Sequence, residues 1–279
     1  MSNKNKIIYN DCYKGMDKLD KIYQLAILDP PSNGLLKDEW DNQWNTEDEY
    51  IDWLIKIIKK TESLLTDSGV LYLYQWIGEK NPLTMAKLLI EINKQTNLHF
   101  KNIITWKKDR GFGVQNNWMY IREELLFFVK DKNNYTFNVQ YGNIKRNYIR
   151  KCGKSWFKRS GNVWVDIKNT DFPATNIWDD INESSYENLQ SQEYSLNRKA
   201  KSIVNSQKPI DLSDRIIKAS SNVNDNVLIP FAGSGSECWS CFNNERNYTA
   251  FENDEVIYKE LMNLKFESKN KTTQTLFNF

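Results

Sequence analysis

The chain of 279 residues is 40% apolar and 13% aromatic, a composition that excludes an intrinsically disordered protein and is sufficient for one large α/β domain. Its formal net charge is only +2, which excludes a surface that attracts nucleic acid from every side. The first residues lack the apolar core of a signal peptide, no run is long enough to cross a bilayer, and four cysteines make no disulfide framework in a chain of this length. We therefore expect a reduced, cytoplasmic protein that does not enter a membrane.

The first half of the chain is predicted to alternate between strands and helices. Apolar residues recur at helical spacing in 47–65, which begins with acidic residues and is expected to end at Asp67–Gly69. The other predicted elements are strands at 22–28, 70–76, 102–106 and 124–130 and a helix at 82–93. This alternation predicts an α/β fold with a mostly parallel, doubly wound sheet.

Residues 131–200 interrupt the alternation, because they are rich in Asn, Tyr, Lys and Ser and show weak periodicity. We interpret them as an insertion within a single domain that spans 1–279. Two similar pieces in this region, at 161–167 and 175–181, are interpreted as chance similarity. The alternation then resumes with a helix at 208–220, a strand at 226–231, a helix to about 244, a strand at 248–252 and a closing helix.

Positive charge is concentrated in residues 101–160, which hold 14 Lys and Arg against 4 Asp and Glu and leave 24 against 32 elsewhere. Such asymmetry indicates a local face for a polyanion, with a merely solvated charged surface as the alternative. The residues expected to contact DNA are Lys107, Lys108, Arg110, Arg146, Arg150, Lys151, Lys158 and Arg159.

The stretch FAGSG at 231–235 lies where an apolar strand turns into a helix. Gly233 and Gly235 there allow a ligand to approach the backbone, and the following helix offers free N–H groups. Glu252, at the end of the next predicted strand, is suited to accept hydrogen bonds from ribose hydroxyls. Together they predict a nucleoside site. Cys238 stands where a dinucleotide fingerprint has its third glycine, which argues against NAD.

A second strand end, LDPPS at 28–32, places Asp29 before two prolines. The prolines fix φ and lack N–H groups, so the neighbouring carbonyls are expected to be free acceptors. Asp29 and an adjacent carbonyl form a pair of acceptors suited to an amino group with two hydrogens. Ligands of open parallel sheets bind beyond the carboxyl ends of strands, so we expect Asp29 and Gly233 to meet at one pocket.

LDPPS followed far downstream by FAGSG resembles the β class of DNA amino-methyltransferases that use S-adenosylmethionine. In that class a D-P-P-Y catalytic motif comes first, then a target-recognition region, then the F-x-G-x-G cofactor motif. Further segments match, namely YNDC (9–12), DEWDNQW (38–44), NIITWKK (102–108), ELLFFVK (124–130) and NSQKPIDL (205–212). The resemblance implies a Rossmann-like methyltransferase fold with circularly permuted motif order and a target-recognition region at 131–200.

The resemblance also implies residue roles. Asp29 and the carbonyl of Pro30 would hold the target amine of a base flipped out of duplex DNA, and no metal would take part. The catalytic residues would be Asp29, Pro30, Pro31 and Ser32. The cofactor-binding residues would be Asp11, Cys12, Asp29, Ser206, Lys208, Phe231, Ala232, Gly233, Ser234, Gly235, Glu252 and Asn253.

Three positions depart from the family pattern. Ser32 replaces an aromatic residue that stacks on the flipped base, a contact worth about 1–3 kcal/mol. Ile229 stands where the family usually has Asp, and Ser236-Glu237 replaces the usual Thr-Thr. The aromatic residues that we consider as substitutes for the missing ring are Trp40, Trp44, Trp76 and Phe112.

Two other motifs are interpreted as structural. Cys238 and Cys241 share one face of a helix, and a single C-x-x-C cannot complete a zinc site, so we expect a buried pair. His99 is the only histidine, and a nucleophile system that depends on it is not expected.

The first hypothesis is an adenine-N6 DNA methyltransferase, because cytosine-N4 relatives more often carry Ser at the head of the tetrad. The alternatives are a cytosine-N4 enzyme and a catalytically weak, DNA-binding subunit, the latter motivated by Ser32 and Ile229. A dinucleotide oxidoreductase is the most distant alternative. A homodimer or a partner subunit is compatible with the family.

Overall fold

The computed structural model describes residues 5–34, 39–78, 80–112, 116–142, 149–152, 155–160, 163–167, 172–181 and 207–263. The strands are β1 (Lys6–Tyr9), β2 (Tyr23–Leu28), β3 (Leu65–Gln75), β4 (His99–Phe112), β5 (Tyr120–Val129), β6 (Tyr141–Gly142), β7 (Ile149–Cys152), β8 (Ser155–Ser160), β9 (Val163–Ile167), β10 (Phe172–Pro173), β11 (Ile177–Trp178), β12 (Asn226–Ile229) and β13 (Asn247–Glu252). The α-helices are α1 (Cys12–Gly15), α2 (Glu47–Leu64), α3 (Thr84–Gln95), α4 (Ile210–Ser220), α5 (Ser236–Asn243) and α6 (Glu255–Asn263), and two 3₁₀ turns span Met16–Lys18 and Glu39–Asp41.

Eight strands form one sheet in the order β1-β13-β12-β2-β3-β5-β4-β11. Its strands are parallel except for β5, which runs antiparallel to both β3 and β4. The predicted mostly parallel sheet is therefore confirmed. Two small antiparallel sheets, β10-β6 and β7-β8-β9, belong to the part of the chain after residue 131.

Both faces of the large sheet are covered, as a doubly wound fold requires. Successive residues of β2 point to opposite faces, so Leu25 and Ile27 join one buried cluster while Ala26 and Leu28 join the other. The first cluster is covered by α4, α5 and α6, and the second by α1, α2 and α3. No helix in the described ranges is long and apolar enough to span a membrane.

Helix α2 begins where the sequence predicted. The hydroxyl of Thr46 accepts the N–H of Glu49 at 3.2 Å, which satisfies one free N–H of the first turn, and the Glu49 carboxylate accepts the N–H of Asn45, just before the cap, at 2.9 Å. The helix ends at Leu64, one residue before the predicted end at 65. The expectation that Asp67–Gly69 stop the helix is wrong, because these residues lie inside β3.

Pairing with β2 explains this difference. Tyr23 is opposite Leu65, but Leu25 is opposite Val70, so residues 66–69 bulge out of the ladder. The side-chain amide of Gln24 donates to the carbonyl of Ser68 at 2.8 Å, which ties the bulge to β2. The turn-forming residues are thus accommodated within the strand.

Other differences concern the edges of the sheet. Strand β1, which the sequence did not predict, is four residues long and pairs with β13. The strand expected at 102–106 extends over His99–Phe112. The two similar pieces at 161–167 and 175–181 fall in different sheets, in β9 and β11. Cys238 and Cys241 are buried and unpaired, as expected.

Candidate active site

The carboxyl ends of the central parallel strands bring the two predicted motifs together. Ala26 of β2 is paired with Leu228 of β12, so the chain leaves these neighbouring strands at Asp29 and Phe231 on the same edge of the sheet. Adjacent strands lie about 5 Å apart. That the two motifs also meet at one pocket stays a prediction, because Gly233 is not among the described residues that line the cavity at Asp29.

Asp29 lies in a buried network of charges. The ammonium of Lys208 lies 3.0 Å from Oδ2 of Asp29 and 2.9 Å from Oε1 of Glu123. The other carboxylate oxygen of Glu123 lies 2.8 Å from the ammonium of Lys108. The side chain of Lys208 is only 8% exposed, whereas that of Asp29 is 28% exposed. A ligand can therefore reach Asp29 but not Lys208.

The protonation of this network follows from burial and from the neighbouring charges. Burial raises the pKa of Asp29, Lys208 opposes that shift, and Glu123 reinforces it. Burial would also raise the pKa of Glu123, but Lys208 and Lys108 outweigh it and hold that pKa below its usual range. Burial disfavours the charged form of Lys208, yet the two carboxylates raise its pKa. Two carboxylates thus share one lysine, and their pKa values are shifted in opposite directions.

Residues 29–32, the tetrad DPPS, form one wall of a cavity of about 200 Å³. The hydroxyl of Tyr50 donates to the carbonyl of Pro31 at 2.8 Å, so the expectation that the proline carbonyls are left free is wrong for Pro31. Asn33 and Gly34 follow with φ of 58° and 96°, and the side chain of Asn81 donates to the Asn33 carbonyl at 2.6 Å. These bonds hold the loop in an otherwise costly left-handed conformation.

Aromatic side chains surround Ser32 in this cavity. Trp76 and Tyr120 line it, with ring centroids 6.3 Å apart. Tyr74 lines it as well, and its buried hydroxyl has no hydrogen-bond partner among the described residues. The cavity thus has flat apolar surfaces and a free polar group at once, as expected of a site for a nucleobase.

Four aromatic residues were considered as substitutes for the missing ring, and one of them, Trp76, lines the cavity. Trp44 packs edge-on against Tyr50 at 4.9 Å within the core, and Trp40 is 40% exposed on a 3₁₀ turn. The side chain of Phe112 lies outside the described residues.

The glycine turn leaves room for a ligand. Gly233 and Gly235 have φ of 49° and 81°, and a Cβ at Gly233 would meet no atom within 4 Å. The φ of Gly235 itself favours glycine, and a Cβ there would also lie 2.7 Å from the side chain of Leu261. Helix α5 starts directly after it, and its first N–H groups lie at this turn.

Glu252 ends β13 beside the turn. Its carboxylate accepts the N–H of Gly233 at 3.0 Å and the N–H of Asp254 at 2.9 Å. Burial raises the pKa of Glu252, and these backbone donors oppose the shift. The open space at Gly233, the carboxylate and the start of α5 together fit the nucleoside end of S-adenosylmethionine.

The remaining predicted cofactor residues fall around this turn or outside the described part. Asp11 caps α1 by accepting the N–H of Lys14 at 3.0 Å, and burial raises the pKa of the Cys12 thiol to about 12. Phe231, Ala232, Ser234 and Asn253 adjoin the strand ends of β12 and β13. Lys208 is directed to Asp29 rather than left free for the cofactor. Ser206 lies outside the described residues.

Of the residues predicted to contact DNA, the structure describes the side chains of two, Lys107 and Lys108. Lys107 is exposed on β4, whereas Lys108 is engaged by Glu123 and adds no free charge to the surface. Arg110, Arg150, Lys151, Lys158 and Arg159 belong to strands whose side chains there are not described, and Arg146 lies outside the described residues.

Sequence reasoning missed three residues of the site. Glu123 and Tyr120 enter it from β5, and the signal was a pair of acids within an otherwise apolar strand, Glu123 and Glu124. The third residue is Glu237, which is buried in the first turn of α5, where Ser213 donates to it at 3.1 Å. Burial and the nearby Asp29 raise the pKa of Glu237 to about 7.

Comparison with known proteins gives the family. The family model described as DNA methylase, N6_N4_Mtase, matches residues 23–263. Type II methyltransferase M1.MboII of Moraxella bovis is 30% identical over 239 residues, which cover 83% of this chain and 85% of that protein. DNA adenine methyltransferase YhdJ of Escherichia coli (strain K12) is 31% identical over 82% of this chain and 71% of its own length.

Solved structures share the fold. The PvuII DNA methyltransferase, described as cytosine-N4-specific, aligns with a TM-score of 0.69 at 14% identity and covers 99% of this chain and 90% of its own. The complex of M1.HpyAVI with S-adenosylmethionine aligns with a TM-score of 0.59 at 18% identity, over 93% of this chain and 98% of its own. Because the sequence identities are this low, the similarity establishes the fold alone, which is the Rossmann-like methyltransferase architecture.

Proposed function

The chain belongs to the N6-adenine/N4-cytosine family of DNA methylases, and from this membership we propose that it methylates the exocyclic N6 amine of adenine in DNA. It is a DNA methyltransferase that uses S-adenosylmethionine. The observation that carries the proposal is the partly exposed Asp29 carboxylate beside the glycine turn. The Asp at the head of the tetrad, and the adenine methyltransferase among the relatives, favour adenine as the target.

The proposed chemistry needs positioning more than a strong base. S-adenosylmethionine supplies a methyl group activated by its sulfonium. Asp29 and the Pro30 carbonyl accept the two hydrogens of the amine, which draws its nitrogen out of conjugation and exposes the lone pair. The nitrogen would bond to the methyl carbon as the sulfur–carbon bond breaks, S-adenosylhomocysteine would leave as a neutral thioether, and one amine proton would pass to solvent.

The aromatic wall supports a flipped base as the ligand of the cavity. An aromatic ring normally stacks on such a base, and Ser32 cannot provide one. Trp76 and Tyr120 line the same cavity as Ser32. We assign these two rings to base stacking in place of the missing aromatic residue.

The remainder of the chain would select the DNA. Residues 131–200 would form the target-recognition region within one methyltransferase domain, with the basic residues of 101–160 against the phosphates. A cytoplasmic location and association with a second copy or a partner subunit are part of the proposal.

Cytosine N4 is the second candidate target. It is favoured by the cytosine-N4-specific structure that aligns over 99% of this chain. That likeness supports the fold more than the target, because the identity is 14%. Asp29 would hold the amine of either base through the same two acceptors, so the product has to be identified chemically.

The test is transfer of labelled methyl groups from S-adenosylmethionine to duplexes of varied sequence, followed by nucleoside analysis. We expect N6-methyladenine, and a rate at least about 100-fold lower for Asp29→Ala. Asp48→Ala, at an exposed carboxylate on α2, is the matched control and should keep full activity. N4-methylcytosine would establish the second candidate. Cofactor and DNA binding without transfer to any duplex would indicate a non-catalytic subunit instead.

A further inference from the structure

The geometry points to Lys208 and Glu123 as positioning residues, in which Lys208 holds the Asp29 carboxylate in place for the target amine and Glu123 holds Lys208. This inference rests on the proposed function, because it assigns the support of the same carboxylate. It gives Lys208 a role different from the one that the family resemblance implied, contact with the methionine carboxylate of the cofactor.

The inference rests on the different surroundings of the two carboxylate oxygens of Asp29. Lys208 contacts Oδ2 at 3.0 Å, and Oδ1 has no hydrogen-bond partner among the described residues. One oxygen is therefore held by the protein, while the other is left to accept a hydrogen from the amine. The side chain of Asp29 is 28% exposed, so the free oxygen lies within reach of the cavity that the tetrad lines.

Lys208 is itself fixed from several directions. Its ammonium is held by Glu123 at 2.9 Å, and its backbone carbonyl accepts the hydroxyl of Ser236 at 2.8 Å. Its ammonium also lies 4.9 Å from the ring centroid of Tyr74. Three elements thus fix this one lysine: β5, the start of α5 and β3. The position of the Asp29 carboxylate is determined by the same contacts.

Glu123 contacts Lys208 and is itself restrained by Lys108, 2.8 Å away. A buried ion pair is a weak source of stability, because desolvation offsets most of the attraction. A chain of two carboxylates and two ammonium groups beside a ligand cavity is better explained by function than by folding.

Lys208 and Glu123 act on Asp29 with opposite signs. Lys208 favours the ionised carboxylate that accepts hydrogen bonds, whereas the negative charge of Glu123 disfavours it. The other groups that face this site are Lys108, Glu237 and the phenols of Tyr50 and Tyr74. Removal of Lys208 should therefore raise the pH at which protonation of Asp29 stops methyl transfer. Removal of Glu123 should lower that pH.

The experiment is the pH profile of single-turnover methyl transfer, with the affinity for a fluorescein-labelled duplex measured by anisotropy over the same range. For Lys208→Met, the acid limb should move upward by about one pH unit or more, which is about a tenfold lower rate at a fixed pH on that limb. For Glu123→Gln, the limb should move downward. Lys208→Arg should keep it near its original place.

Lys218→Met is the matched control, because Lys218 forms an exposed pair with Asp214 on α4 and should leave the profile unchanged. The inference is overturned if the acid limbs of Lys208→Met and Glu123→Gln both stay in place, or if both move in the same direction. It is also overturned if Lys208→Met weakens cofactor binding without moving the limb, since the lysine would then serve the cofactor. If Lys208→Met does not fold, Glu123→Gln alone decides by the direction of its shift. Asp29→Ala reports on the proposed function separately.

Discussion

Glu237 is a carboxyl group in an unfavourable place for a charge. It is 5% exposed, and its side chain accepts a hydrogen bond from the neutral hydroxyl of Ser213. Burial raises its pKa to about 7 from an ordinary 4.5. The family resemblance would place Thr there, so this acid is a peculiarity of the chain and titrates near neutral pH.

We predict that Glu237→Gln makes stability less dependent on pH. Because the folded-state pKa is raised, the stability that the neutral carboxyl contributes is fully present below about pH 4.5 and is lost as the pH rises through about 7. Between pH 4.5 and pH 8 the free energy of unfolding of the variant should therefore rise relative to that of the wild type, by up to roughly 3 kcal/mol. Urea unfolding at both pH values measures this.

Ser213→Ala serves as a comparison, since it removes the donor but leaves the carboxyl group. It should keep a pH dependence at least as large as that of the wild type, because the hydrogen bond from Ser213 lowers the pKa of Glu237. A difference between wild type and Glu237→Gln that is constant from pH 4.5 to pH 8 would contradict the assignment of a neutral, buried acid.

At the scale of elements, the mostly parallel sheet follows from the alternation of strands and helices, but the reversed direction of β5 does not. Asp29, Gly233 and Glu252 were predictable because each follows a strand that ends at the ligand-binding edge of a parallel sheet. Glu123 reaches that edge from the beginning of β5, which runs the other way. An apolar run has the same periodicity in either direction, so the sequence could not place Glu123 beside Asp29.

Turn propensity predicts the wrong secondary structure at Asp67–Gly69. Asp67, Ser68 and Gly69 favour a turn, yet they lie in β3 because pairing with β2 continues on both sides of them. The contacts responsible come from residues more than 40 positions away, such as Gln24. Local preference carries no information about such partners. Boundaries with local causes, such as the Thr46 cap of α2, were predicted correctly.

The basic strands make a prediction about DNA binding. Strand β7 carries Arg150 and Lys151, and Arg146 precedes it in the sequence. Replacing all three by Gln should weaken binding and flatten the plot of log affinity against log salt, by about 0.9 for each phosphate that is no longer neutralised. Duplex binding between 50 and 200 mM salt measures the slope.

A triple replacement with the same change of charge, at Lys56, Lys59 and Lys94 on α2 and α3, is the control. It should leave the slope nearly unchanged, because these helices cover a face of the sheet rather than the ligand edge. Equal slopes for the wild type and the β7 variant would contradict the placement of DNA on these strands.

At the scale of the whole molecule, ligand binding should report on the site through global stability. A ligand that binds only the folded chain stabilises it by about 2.7 kcal/mol at 100 times its Kd. For a chain of this size that corresponds to a rise in melting temperature of roughly 5–10 °C. We predict such a rise with S-adenosylmethionine and none with NAD.

Glu252→Gln should reduce the rise, since it alters the carboxylate at the glycine turn, whereas Glu91→Gln on α3 should preserve it. A rise with NAD but not with S-adenosylmethionine would revive the dinucleotide hypothesis. Differential scanning fluorimetry of the wild type and both variants with each ligand is sufficient.

The order of the large sheet has a consequence for biosynthesis. β1 and β2 are close together in sequence, but β12 and β13 are inserted between them. While the ribosome is still translating, the two early strands cannot close the gap that the late strands will fill. The nascent chain therefore exposes unpaired strand edges until Glu252 has emerged, and this interval is when a chaperone would be needed most.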